Sequence, residues 1–137
     1  MTEKELVKQA IQAREKSYSP YSHFMVGACL ETQDGTCYTG CNVENAAYTP
    51  TNCAERTAFF KAVSEGERAF KRIAIAGGPK DGEKQFCTPC GVCRQVMMEF
   101  CEPESFQIIV AKSEEEYEVH TLSELLPKGF GPENLDR

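Results

Sequence analysis

The order of elements legible in this sequence is helix, hairpin, helix, strand, helix, strand, strand. It predicts one α/β domain whose helices pack against a mixed sheet. Three observations carry the prediction. Stretches with helical apolar spacing alternate with short apolar runs of strand length. Turn residues fall between them, with no repeat, linker or low-complexity segment. At 137 residues the chain suits a single domain spanning 1–137, large enough to bury a core without disulfides.

Each element has its own signal. Thr2 with Glu5 forms a capping-box pattern, and Leu6, Val7, Ala10 and Ile11 recur at helical spacing, predicting a helix to about Lys16. Ser17 to Tyr21 is a proline-containing connection. Phe24 to Leu30 reads as a strand, Asp34-Gly35 as a turn and Cys37 to Val43 as the returning strand of a hairpin. Asn45 to Asn52 is a loop, with Thr51 or Asn52 placed to cap a helix through Ala54, Ala58, Phe59 and Ala62 that stops near Gly66. Ile73 to Ala76 is a short strand ending at Gly77-Gly78-Pro79, and Cys90 to about Phe100 a third helix. Strands follow at Ser105 to Ala111 and Tyr117 to Thr121. A short helix from Leu122 to Leu126 is stopped by Pro127 and Gly129.

Charge narrows the function. Fifteen basic residues stand against 21 acidic ones, a net charge of −6, and the basic residues are scattered. A protein that tracks a phosphate backbone needs clustered Lys and Arg, so a nucleic acid polymer is not the expected substrate, whereas a small neutral molecule is acceptable. The apolar stretches are too short to span a bilayer, and the segment Met1 to Glu5 lacks the features of a secretory signal. A cytoplasmic location follows as the expectation. In that reducing setting eight cysteines point to metal binding sooner than to disulfides.

Two of the cysteine segments fall where helices should begin: Cys53-Ala54-Glu55-Arg56 and Pro89-Cys90-Gly91-Val92-Cys93-Arg94-Gln95. Cys90 and Cys93 are one helical turn apart, so their sulfurs share a face. Helix N-termini favour thiolate over thiol. Three thiolates with an open fourth position mark a catalytic zinc, where a bound water becomes acidic and Glu55 is the acid/base beside it. Residues two apart diverge within a helix, so Cys53 belongs at the extreme end of its helix, where it and Glu55 can converge. Zinc with three thiolates is anionic. Arg56, three residues after Cys53, can donate to one or two sulfurs and offset that charge.

Other readings stay open on spacing alone. Cys87, Cys90 and Cys93 form C-x-x-C-x-x-C, the opening of a ferredoxin run, although the remaining cysteines do not continue it. Cys87 could also close a structural zinc site with four thiolates. Phe24 reads as a core residue, and Asn42 and Glu44 as a solvated sheet face. His23 and His120 read as structural, and Cys29, Cys37, Cys41 and Cys101 as small buried hydrophobes.

At these residues the sequence resembles the small homotetrameric cytidine deaminases of pyrimidine salvage, over nearly its whole length. The zinc deaminase signature, H-x-E or C-x-E followed by P-C-x-x-C, matches Cys53-x-Glu55 and Pro89-Cys90-x-x-Cys93. Tyr21 to Ala28 resembles the segment whose aromatic packs on the pyrimidine, here Phe24. Gly40 to Tyr48 resembles the ribose-binding stretch, with Asn42 and Glu44 as ligands to sugar hydroxyls. Leu125 to Phe130 matches the family's tail, whose Phe reaches a neighbouring subunit's site.

The resemblance implies a three-layer α/β/α domain with a mixed sheet of about five strands, one Zn2+ per chain and no organic cofactor. It implies hydrolytic deamination of cytidine and 2′-deoxycytidine. It further implies base-edge contacts from the Ala54 N–H and a carbonyl near Cys90, and active sites that borrow Phe130 and Tyr48 from other subunits of a homotetramer. A deaminase of a cytosine-nucleoside antibiotic such as blasticidin S and a structural zinc module for protein contacts are the alternatives. The Asn42-x-Glu44-Asn45 stretch favours a plain ribose.

Overall fold

Leu6, Val7, Ala10 and Ala13 give the first helix one apolar stripe, and the computed structural model, which describes residues 1–135, lays that stripe on a sheet. The helix, α1, runs Glu3–Arg14. Thr2 caps it through the expected box: its hydroxyl accepts from the Glu5 N–H at 3.1 Å and its own N–H donates to Glu5 Oε2 at 3.2 Å. β1 (Phe24–Thr32) and β2 (Cys37–Cys41) form the predicted hairpin, followed by α2 (Ala54–Ser64), β3 (Phe70–Pro79) and α3 (Gly91–Phe100). β4 (Gln107–Ala111), β5 (Tyr117–Thr121), the short α4 (Leu122–Leu125) and a 3-10 turn at Pro132–Leu135 complete the described residues.

The five strands lie in the order β2-β1-β3-β4-β5. β1 is antiparallel to both β2 and β3, β3 and β4 are parallel, and β4 and β5 are antiparallel. The central strands alternate by face, with most of the small residues on the α1 side. Ala74, Ala76, Ile109, Ala111 and Cys29 turn toward α1, whereas Ile73, Ile75, Ile108, Val110 and Leu30 turn toward α2, α3 and α4. Small residues let α1 sit close, and large ones fill the wider space under the opposite helices. Phe59 of α2 anchors that thicker layer among Phe70, Phe100 and Phe106, with centroids 5.1, 6.3 and 6.0 Å away. Truncating so buried a ring costs roughly 3–5 kcal/mol.

Two glycines set how closely helices approach. A Cβ at Gly27 would lie 2.1 Å from the Ala10 carbonyl oxygen of α1, and one at Gly40 would lie 2.5 Å from the Ala54 carbonyl oxygen of α2. They sit on adjacent strands and face opposite ways. The mixed sheet with helices on both faces is therefore the three-layer arrangement expected.

Most element ends fall within one or two residues of the sequence reading, and three differences have a clear physical reason. β3 extends from Phe70 to Pro79, well beyond Ile73 to Ala76, because the long β1 pairs with it through Met25–Gly78 and Phe24–Pro79. The buried Arg14 holds that end by donating to the carbonyls of Met25, Gly78 and Pro79 at 3.0, 3.0 and 2.9 Å. β2 stops at Cys41, since Asn42 turns its side chain into the neighbouring strand and Val43 pairs instead with Asn52. Asn52 is thereby kept extended, and Cys53, not Thr51 or Asn52, is the N-cap of α2. Cys29 and Cys101 are buried as expected, but Cys37 and Cys41 are only half-buried, because β2 is an edge strand.

Candidate metal centre and substrate cavity

β2 and β3 run in the same direction, both antiparallel to β1, so the loops leaving their C-terminal ends emerge at one edge of the sheet. Those loops lead into α2 and α3, which lie on the same face. Two helix N-termini are thus brought together by topology, and their caps are Cys53 and Cys90.

Cys53 makes no side-chain capping bond, which leaves its sulfur free to turn away from the helix. Cys90 Sγ accepts from the Cys93 N–H at 3.5 Å. The sulfurs of Cys53 and Cys90 are 3.6 Å apart, and those of Cys53, Cys90 and Cys93 all lie within 4.8 Å of one another. A tetrahedral zinc with Zn–S bonds of about 2.3 Å sets its sulfurs about 3.8 Å apart, so the donor set and its spacing suit such an ion. Among the described residues no other group of His, Cys, Asp or Glu of this kind occurs. His23 is exposed on a turn with φ of 57°, and His120 contacts Glu118 on β5.

Arg56 lies where the charge argument requires it. Its Nη2 donates to Cys53 Sγ at 3.3 Å, and its buried Nε has no hydrogen-bond partner among the described residues. Desolvation opposes the guanidinium charge, but the bonds to Cys53 and Cys93 hold it firmly protonated. In turn, hydrogen bonds from Cys93, then from Arg56 and Cys90, outweigh burial and pull the Cys53 thiol down to about 5. Glu55 is only 5% exposed. Burial, reinforced by the charge on Cys53, pushes its carboxyl up to about 7.

Beside the sulfurs opens a cavity of about 300 Å³ whose walls include Phe24, Asn42, Glu44, Ala54, Glu55 and Cys90. A larger cavity, about 510 Å³, lies between α3 and the C-terminal turn and contains none of these groups. Proximity to the sulfurs and to Glu55, not size, identifies the first as the candidate site.

Asn42 is tied into the wall on all but one of its polar sites. Its Nδ2 donates to the Phe24 carbonyl at 2.8 Å, and its Oδ1 accepts from the Val26 N–H at 2.9 Å and from the Ser17 hydroxyl. Glu44 Oε1 accepts from the Tyr21 and Ser22 N–H groups at 3.0 and 3.1 Å, while Oε2 accepts from the Ser22 hydroxyl. One N–H of Asn42 and one lone pair of Glu44 are left over in this set of bonds.

The chain does not bring every residue singled out from the sequence to this cavity. Tyr48 stands 73% exposed with φ of 64° at the tip of the loop closed by Val43 and Asn52, edge-on to Tyr21. Phe130 is 58% exposed beyond α4. Conversely, Ser22, Val26, Thr51, Asn52, Ile75, Cys87 and Thr88 line the cavity without having been singled out for it. Of these, Ser22 lies two residues before Phe24 in the segment from Tyr21 to Ala28.

Cys87 reaches the cavity but not the sulfur cluster, and burial pushes its thiol up. Cys87 therefore stands outside the three-sulfur cluster. Cys87→Ser should retain about one zinc per chain and show no visible absorption band. Metal analysis and an absorption spectrum of the purified variant check this, and metal loss would point to a four-thiolate site or a cluster.

The chain is similar to known proteins over nearly its whole length. Residues 1–109 match the family model described as the cytidine and deoxycytidylate deaminase zinc-binding region. The chain is 47% identical over 135 residues to a cytidine deaminase of Sporosarcina psychrophila, covering 98% of this chain and 96% of that one. Among solved structures, a cytidine deaminase from Burkholderia pseudomallei superposes with a TM-score of 0.85 at 45% identity, covering 95% of this chain and 100% of that one. One from Mycobacterium tuberculosis superposes with a TM-score of 0.78 at 36% identity, covering 93% and 95%.

Proposed function

The chain belongs to the cytidine and deoxycytidylate deaminase family of zinc-dependent hydrolases, and on that premise we propose that it hydrolyses cytidine and 2′-deoxycytidine to uridine and 2′-deoxyuridine with release of ammonia. The observation that carries the reading is a cluster of three sulfurs, those of Cys53, Cys90 and Cys93, two of whose residues (Cys53 and Cys90) line one cavity together with the buried Glu55. Cys53, Cys90 and Cys93 would hold one zinc ion per chain, which when bound supplies Lewis-acid activation of a water molecule.

Glu55 moves the protons. Its carboxylate takes one from the attacking water and delivers it to N3 as the C4–O bond forms. It then carries the remaining hydroxyl proton to the amino nitrogen as the C4–N bond breaks. Water is consumed, ammonia leaves, and Glu55 ends in its starting state. The Ala54 N–H, at the first turn of α2, and a carbonyl near Cys90 hold the base edge. Phe24 packs on the ring, and Arg56 offsets the thiolate charge.

The spare N–H of Asn42 and the spare lone pair of Glu44 suit one hydroxyl, which can accept from the first and donate to the second. A hydroxyl common to ribose and 2′-deoxyribose meets that need, which accounts for both nucleosides as substrates. Because Glu44 is anionic and the chain carries −6, a 5′-phosphate is disfavoured. The substrate is a free nucleoside, and the enzyme is one of pyrimidine salvage in the cytoplasm. It works as a homotetramer whose cavities are completed by Tyr48 and Phe130 of other subunits.

An ultraviolet assay with cytidine tests the reading directly: absorbance should change with cytidine and 2′-deoxycytidine and far more slowly with cytidine 5′-phosphate. Glu44→Ala should raise KM by roughly 10- to 100-fold, the equivalent of a hydrogen bond to a charged acceptor at roughly 1.5–3 kcal/mol. Equal turnover of nucleoside and nucleotide would overturn the assignment.

A further inference from the structure

The segment after α4 carries Phe130 with its ring outward and its backbone fastened inward. Two adjacent residues of α3, immediately after the ligand Cys93, do the fastening. Arg94 donates from Nε to the Pro89 carbonyl at 2.7 Å and from Nη1 to the Leu125 carbonyl, so one guanidinium ties the turn before Cys90 to the end of α4. Gln95 donates from Nε2 to the Phe130 carbonyl at 2.8 Å. Between these two anchors the chain takes a left-handed step at Lys128, with φ of 54°. Beyond them the Gly131 N–H closes a turn on Asn134 Oδ1 at 2.9 Å. The Phe130 ring itself stays 58% exposed.

We propose that Arg94 and Gln95 are positioning residues that fix the pose in which Phe130 is presented to the neighbouring subunit's cavity. The inference rests on the reading that Phe130 completes that cavity. A ring on an untethered arm would occupy the docking pose only part of the time, and the apparent affinity for substrate falls by that fraction. A tether made within the chain removes the loss before assembly. Because Arg94 also grips the Pro89 carbonyl, the arm is set in register with the ligand turn of its own chain.

The test uses the assembled holoenzyme. Gln95→Met keeps the helix and the side-chain length but removes the donor. Its KM for cytidine should rise about fivefold, the factor carried by one hydrogen bond, with kcat, zinc content, Tm and sedimentation unchanged. Arg94→Lys, which can reach one carbonyl but not both, should raise KM in the same way. Adding Gln95→Met to Phe130→Ala should raise KM no further than Phe130→Ala alone.

A wild-type KM in Gln95→Met, beside a raised KM in Phe130→Ala, would overturn the tether and leave the shared cavity standing. Multiplying effects in the double variant would overturn it too, since Gln95 would then act by another route. An unaltered KM in Phe130→Ala would remove the shared-cavity reading itself, and the tether with it.

Discussion

Glu55→Gln is expected to keep zinc content and Tm near the wild-type values while turnover falls by about 10⁴-fold. The size of the loss follows from one group handling both proton transfers, for which an amide has no capacity. The preserved fold follows from the environment. Glu55 is 5% exposed, and burial already favours its neutral form, so a neutral side chain of the same shape costs little. Rapid-mixing turnover measurements together with metal analysis separate the two effects. Activity within tenfold of wild type would end the proposed role of Glu55, and loss of zinc would show that it is a ligand.

Cys93→Ala is expected to strip the metal. Cys93 is 1% exposed, and its sulfur is one of three within 4.8 Å of one another. Structural zinc binds with roughly 10–16 kcal/mol, and dividing that among four ligands gives roughly 2.5–4 kcal/mol each, or roughly 10²–10³ in affinity. The Arg56 guanidinium, already short of one partner at Nε, would lose another, so Tm should fall as well. Competition with a chelator of known affinity reads the first effect, and thermal unfolding the second. Full zinc retention would remove Cys93 from the ligand set and bring Cys87 back into it.

The elements carrying local signals were legible in the sequence. The Thr2–Glu5 box, the spacing of Leu6, Val7, Ala10 and Ile11, and the Asp34-Gly35 turn each act within a few residues, and the structure keeps all of them. What depended on distant partners was not. The ends of β3 are set by β1 and Arg14, and the cap of α2 by the pairing of Asn52 with Val43.

The site divides in the same way. Cys53, Cys90 and Cys93 announced themselves by type and spacing at helix starts, because thiolate chemistry needs those termini. Asn42 and Glu44 alternate as strand residues would, and periodicity alone assigned them to a solvated face. Their bonds to Phe24, Val26, Tyr21 and Ser22 arise only once β1 and the preceding turn lie alongside. The grip of Gln95 on Phe130 spans 35 residues and leaves no local trace.

The close approach at Gly40 makes that position a gauge block for the metal centre. Its hydrogen faces the Ala54 carbonyl, one residue from Cys53, and a methyl group there would intrude to 2.5 Å of that oxygen. The helix would have to ride outward, carrying Cys53 and Glu55 with it while Cys90 and Cys93 stayed put on α3. The span between the two halves of the site is thus machined from behind, by an atom that is missing on a strand contributing no ligand. Anyone recutting this cavity for a larger substrate can vary its walls, but the shim at Gly40 has to stay as thin as chemistry permits.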